Sequence, residues 1–158
     1  MTAPAPHLPS QLLPAVQADG TPLLLRRLLR ERFGFDSFRP HQEDVCVAVA
    51  DGKDALVVMP TGAGKSLCFQ LPGLLRRTQK NGCVLVVSPL IALMEDQVGK
   101  LRERGFKAGR IHWGMNRDDS REFCRTSLRG EVDFLFFAPE RLSVPGFPEF
   151  GHASCRER

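Results

Sequence analysis

The sequence lacks the spacings that hold metal or build a disulfide framework. Its five cysteines, Cys46, Cys68, Cys83, Cys124 and Cys155, are an odd number at wide intervals with no C-x-x-C. That excludes a zinc ribbon and a secreted disulfide scaffold, and leaves reduced thiols acting as small hydrophobes. His7, His41, His112 and His152 likewise form no metal-ligand spacing. Long apolar runs are missing too: none approaches the ~20 residues needed to span a bilayer, and no charged segment followed by an apolar one opens the chain as a signal peptide would. No internal repeat is present. These absences predict a soluble cytoplasmic protein with no membrane partner.

What is there fits one ordinary globular domain. The chain has 158 residues, 42% hydrophobic and 25% charged, inside the globular range and outside the disordered one. Its 22 basic and 18 acidic residues give a net charge of +4, which suits a phosphate-bearing partner without demanding one. Residues 1–20 hold four of the 12 prolines and almost no charge, so they read as a flexible leader. Residues 21–147 carry the periodic patterns of a domain. Residues 148–158 have neither strand nor helix period and read as an unstructured tail.

Within the domain, Thr21-Pro22 marks a helix start, and Leu24, Leu25, Leu28, Leu29 and Phe33 recur at helical spacing up to Gly34. A second helix is expected over 40–51, ending at Gly52. Then the pattern alternates. Apolar runs at 55–59, 83–87 and 133–138, with a weaker strand at 107–111, are separated by helical segments from Lys65 (with Pro72 inside), over 90–104 and over 117–129. Strands apolar throughout, alternating with helices, imply an α/β fold whose parallel sheet is covered by helices on both faces.

The sharpest signal is Met59-Pro60-Thr61-Gly62-Ala63-Gly64-Lys65-Ser66, between the first apolar run and a helix. Glycines let the backbone aim successive N–H groups at one anion, and the helix N-terminus adds its dipole. In such a loop Lys65 reaches the terminal phosphates of ATP and the Ser66 hydroxyl ligates Mg²⁺; the plain alternative is a Gly-rich strand-to-helix turn. Met59 stands where the general P-loop pattern has glycine.

Four segments together, Phe33-Gly34-Phe35-Asp36-Ser37-Phe38-Arg39-Pro40-His41-Gln42, Met59 to Gln70 with Leu71-Pro72, Val87-Ser88-Pro89-Leu90-Ile91-Ala92-Leu93-Met94-Glu95-Asp96-Gln97-Val98 and Ala138-Pro139-Glu140-Arg141-Leu142, closely resemble the RecQ family of ATP-dependent DNA helicases. The resemblance implies a RecA-like P-loop NTPase fold and the N-terminal part of a motor that couples ATP hydrolysis to 3′-to-5′ unwinding in recombination and repair. It implies adenine selection by Gln42, whose carboxamide has the donor and acceptor to pair with adenine N6 and N7, with Phe35 stacking on the base and Arg39 fixing the nucleotide. Taken singly, these three also read as a polar helix position, a core residue and a surface cation. Residues 60–66 (Pro60, Thr61, Gly62, Ala63, Gly64, Lys65, Ser66) would hold ATP, with Lys65 and Ser66 as the catalytic pair and Ser66 on the metal. Ser88, Pro89, Leu90 and Pro139, Glu140, Arg141 would line the path of single-stranded or forked DNA, although each segment also reads as a plain strand-to-helix turn. Location would be cytoplasmic, nucleoid-associated in a bacterium.

Hydrolysis also needs carboxylates to hold Mg²⁺ and orient water, which related helicases supply from a D-E-x-H strand end. No D-E-x-H occurs in these 158 residues. The chain therefore reads as the opening part of a motor, cut before the acidic-motif strand and inactive alone. Two other readings stand beside it: a P-loop nucleotide kinase or other small NTPase, and a non-catalytic product of a truncated gene. The resemblance also implies a sheet in which the P-loop strand is flanked by strands later in sequence. Strand 55–59 is thus expected to be poorly paired here, with 83–87, 107–111 and 133–138 grouped together. Arg117, Arg121, Arg125 and Arg129 recur every four residues and could form a phosphate rail, but Asp118 and Glu122 stand where they can pair with Arg121 and Arg125, which favours a solvated ion-paired face; Trp113 could stack a base but reads better as a loop anchor.

Overall fold

The computed structural model describes residues 20–80, 82–112, 114–145 and 147. The expected tail at 148–158, the leader apart from Gly20, and Trp113 lie outside the described residues. Two compact units divide the chain, one within His7–Gln79 and the other taking in Lys80–Arg158.

In the first unit, α1 (Thr21–Leu28) has Pro22 in its opening turn and runs directly into a π-helical turn, Leu29–Phe33. Of the stripe that the spacing predicted, Leu25, Leu28, Leu29 and Phe33 are buried, whereas Leu24 is only half-buried. Gly34 ends the segment with φ 73°, a left-handed cap that glycine adopts without Cβ strain. α2 spans Gln42–Ala50, and the guanidinium of Arg26 in α1 grips the carboxylate of Glu43 through Nε and Nη2. The expected start at Pro40 is two residues early. His41 has φ 67°, and a left-handed residue cannot sit inside an α-helix. α3 (Leu67–Lys80) buries Leu67, Cys68, Leu71, Leu74 and Leu75, and Arg76 donates to the Val49 carbonyl at 3.2 Å to tie it to the end of α2. Residues 53–60 form no strand, so the first expected strand has no ladder among the described residues. Leu56 and Val58 are 95% and 88% exposed. This agrees with the poor pairing expected from a sheet order in which its neighbours come later.

The second unit contains the sheet. β1 (Val84–Val87), β2 (Ala108–Ile111) and β3 (Phe134–Phe137) are all parallel, in the order β1-β3-β2. The last strand in sequence lies in the middle, with Val84 and Ala108 both opposite Phe134, which explains why all four of its residues are buried. Side-chain alternation sends Phe134 and Phe136 to one face and Leu135 and Phe137 to the other. On the first face lies α4 (Ile91–Glu103), with Met94, Val98 and Leu101 buried, Phe106 edge-on to Phe134 at 5.6 Å, and Glu95 paired with Arg110 of β2 at 2.7 Å. On the second lies α5 (Arg117–Leu128), whose Phe123 and Cys124 pack with Ile111, Leu135 and Phe137. A Cβ on Gly109 would drive into the Phe123 ring, so this close approach of strand to helix requires glycine. The outer face of α5 is ion-paired as its sequence suggests: Asp118 with Arg121 and Glu122 with Arg125, both at 3.6 Å, and Glu122 with Arg129 at 3.4 Å. Among the described residues no helix is long and apolar enough to cross a membrane.

Candidate functional site

Residues 59–66 link the extended run to α3. Gly62 and Gly64 have φ of 82° and 88°, which only glycine adopts without strain, and they turn the chain back on itself. The consequence is a row of free donors. The N–H groups of Thr61, Gly62, Gly64, Lys65 and Ser66 have no acceptor among the described residues, whereas those of Leu67, Cys68, Phe69 and Gln70 close the first turn of α3 onto the carbonyls of Gly64, Lys65 and Ser66. Unsatisfied donors ahead of a helix N-terminus make a concave, positively polarised surface for an anion. The Lys65 ammonium lies over the loop and donates to the Met59 carbonyl at 2.7 Å and the Pro60 carbonyl at 2.9 Å. The Ser66 hydroxyl follows it at the mouth of the helix.

Two side chains from the preceding segment hold this loop. Gln42 is only 3% exposed. Its Oε1 accepts from the Arg39 N–H at 2.8 Å, and its Nε2 donates to the carbonyls of Ala63 at 3.3 Å and Gly64 at 3.1 Å. A Cβ on Gly64 would collide with that Nε2, so the glycine is needed for contact as well as for φ. The Arg39 guanidinium donates to the Gly62 carbonyl at 2.6 Å. Phe35 is 45% exposed, which excludes the core role its sequence also allowed. The sequence therefore named Phe35, Arg39 and Gln42 as a set, and the structure brings Arg39 and Gln42 onto the loop. That the two grip its backbone is not legible from local pattern. Below the loop, the buried Cys46 thiol donates to the Leu67 carbonyl at 3.8 Å, and burial pushes its pKa up to about 12. Cys68 is raised by burial too. Both thiols stay protonated, so this floor adds no charge to the loop.

In the second unit, the parallel strands bring both remaining motifs to one rim. Val87 lies opposite Phe137, so Ser88-Pro89-Leu90 and Pro139-Glu140-Arg141 leave adjacent strands at the same C-terminal edge, joined by the Ser88 N–H donating to the Phe137 carbonyl at 3.0 Å. Ser88 is buried, Leu90 is 61% exposed, and Pro139–Ser143 form a 3₁₀ turn. Arg141 turns inward. Its Nη2 donates to the His112 carbonyl at 2.9 Å and the Ser120 hydroxyl at 3.0 Å, drawing the end of β2 and the start of α5 into the rim. Neither His112 nor Ser120 carries a sequence signal for this, because the contact spans 29 and 21 residues. No group of three or more His, Cys, Asp or Glu among the described residues is placed to hold a metal ion.

The family model for the DEAD/DEAH box helicases matches residues 39–147, more than half of the chain. The chain is 43% identical over 122 residues to the probable ATP-dependent DNA helicase RecS of Bacillus subtilis (strain 168), covering 77% of this chain and 23% of that protein. It is 39% identical over 120 residues to the ATP-dependent DNA helicase RecQ of Haemophilus influenzae, covering 76% and 19% respectively. It thus spans about a fifth of the length of these relatives. The crystal structure of the DUF1998 helicase MrfA bound to DNA aligns over 75% of this chain and 17% of that one with a TM-score of 0.62 at 24% identity, a likeness that shows the fold alone. The resemblance read from the four motifs and the parallel α/β architecture agree with these matches, and the chain belongs to the DEAD/DEAH box helicase family, with RecQ-type helicases as its relatives.

Proposed function

We propose that this chain is the ATP-binding and DNA-contacting N-terminal portion of a RecQ-like 3′-to-5′ DNA helicase acting in recombination and repair. The observation that carries the reading is the row of five N–H groups at 61–66 with no acceptor among the described residues, headed by the Lys65 ammonium and contacted from behind by Arg39 and Gln42. These donors fit the oxygens of a polyphosphate. Lys65 would take the terminal phosphates, Ser66 would ligate Mg²⁺, and Phe35, Arg39 and Gln42 would hold the adenine, Gln42 by exchanging its contacts with Arg39, Ala63 and Gly64 for the base. When bound, Mg²⁺-ATP supplies the phosphoryl group whose transfer to water drives the motor. Ser88, Pro89 and Leu90, with Pro139 and Glu140, would meet the backbone of single-stranded or forked DNA, and Arg141 keeps that rim in shape. Open α/β sheets place their ligands at this edge. With no D-E-x-H in the 158 residues to hold Mg²⁺ and orient water, the chain alone binds nucleotide without turning it over.

The test is titration of a fluorescent ATP analogue into the parent and Lys65→Ala proteins. Loss of the ammonium is expected to weaken binding at least about tenfold, or roughly 1.4 kcal/mol. Equal affinities would overturn the assignment. DNA-stimulated phosphate release by the purified chain would overturn the claim that it does not hydrolyse ATP.

A further inference from the structure

His41 is the only residue other than glycine with positive φ among the described residues (φ 67°, ψ −9°). It follows Pro40, and the Gln42 N–H donates back to the Arg39 carbonyl at 3.1 Å. Proline at the second position of a four-residue turn and a left-handed residue at the third, closed by that hydrogen bond, is the pattern of a type II β-turn, whose third position favours glycine or asparagine. The imidazole is exposed and makes no side-chain hydrogen bond among the described residues. The backbone conformation at 41 is thus held without help from its own side chain.

The turn has one visible product. It places Gln42 as the first residue of α2 with its carboxamide folded back, Oε1 on the Arg39 N–H and Nε2 on the carbonyls of Ala63 and Gly64. If residue 41 were right-handed, α2 would begin earlier, the Arg39 N–H would leave the turn, and the carboxamide would swing off the loop. We infer that His41 is a positioning residue for the nucleotide site: its left-handed backbone, and not its imidazole, aims Gln42 at residues 63–64. The inference rests on the proposed nucleotide site for its effect on base choice, and on the turn alone for its effect on the Gln42 carboxamide.

The test compares His41→Gly, His41→Asn and His41→Val in the full chain. One readout is the ratio of ATP to GTP analogue affinities. The other is NMR-detected exchange of the Gln42 side-chain amide protons without nucleotide. Glycine and asparagine tolerate the left-handed region and are expected to keep both within about twofold of the parent, whereas β-branched valine is expected to lower the ratio and the protection at least about fivefold. Parent-like values in a folded His41→Val protein would overturn the inference, and so would loss of either property in His41→Gly, which would mean the imidazole matters. Should His41→Val not fold, His41→Ala replaces it, and alanine protection equal to that of glycine is the overturning result. If Lys65→Ala leaves affinity unchanged, the nucleotide reading fails, while the exchange measurement still decides the role of His41.

Discussion

Residues 55–59 and β3 are both short, apolar and rich in strand-forming side chains, yet their fates are opposite. Phe134 and Phe136 are fully buried between two parallel neighbours, whereas Leu56 and Val58 face solvent with no ladder. Composition is therefore not what makes a strand here. β3 is built because β1 and β2 fall on either side of it and α4 and α5 cover its two faces, so every main-chain donor and every ring has a place. The run at 55–59 has the same chemistry without those neighbours. The loop that follows it is shaped by Arg39, Gln42 and two left-handed glycines and not by a sheet.

The largest expected effect sharpens this contrast. Phe136→Ala should cost about 3–5 kcal/mol, because the cavity opens inside a layered core. Leu56→Ala should change stability by no more than about 0.5 kcal/mol, as exposed substitutions do. Urea unfolding of both proteins checks it, and a comparable loss for Leu56→Ala would show that the run is packed after all.

A second pair separates support of the sheet from support of the loop. Gly109→Ala forces a methyl into Phe123 and is expected to lower stability by about 1–3 kcal/mol while analogue affinity stays at the parent value. Gly64→Ala meets the Gln42 amide at a φ of 88° and is expected to reduce analogue affinity at least about tenfold. If Gly64→Ala binds like the parent, the loop tolerates a shape other than the one described, and its dependence on Gln42 is disproved.

The smallest effect concerns pH. The unfolded Cys46 thiol ionises near 9.0, while burial holds the folded one protonated to about 12. Between these values the unfolded chain has released a proton that the folded chain keeps, so stability falls as pH rises through the window and is indifferent to this group below it. Cys46→Ala should show a shallower decline of urea midpoint from pH 8 to 10. Identical declines would mean that this thiol does not contribute.

Much of the fold was legible because it is written in local period. The stripe of Leu25, Leu28, Leu29 and Phe33, the helix stop at Gly34, and the apolar runs that became β1, β2 and β3 all follow from spacing and punctuation, and the grouping of those strands followed from the resemblance. The α2 start was misjudged because a proline opens a helix or a type II turn equally well, and only the backbone of His41 distinguishes them. The π-helical turn at Leu29–Phe33 leaves no mark in a pattern that suits both helix types over five residues. The loop motif at 59–66 was plain from its glycines. Its clamping by Gln42 was not, because that carboxamide meets carbonyls more than twenty residues away.

The Lys65 ammonium, held by the carbonyls of Met59 and Pro60, has a further consequence. An arriving anion would not meet a bare charge; it would displace carbonyl dipoles that already engage two of the ammonium's three N–H groups, so capture would be an exchange reaction. A small monovalent anion recovers little from that exchange, whereas an extended one that also reaches the amides at 61–66 gains several contacts for each one broken. In the proposed nucleotide site this resting arrangement of one lysine would screen ligands by size and valence before any base is read.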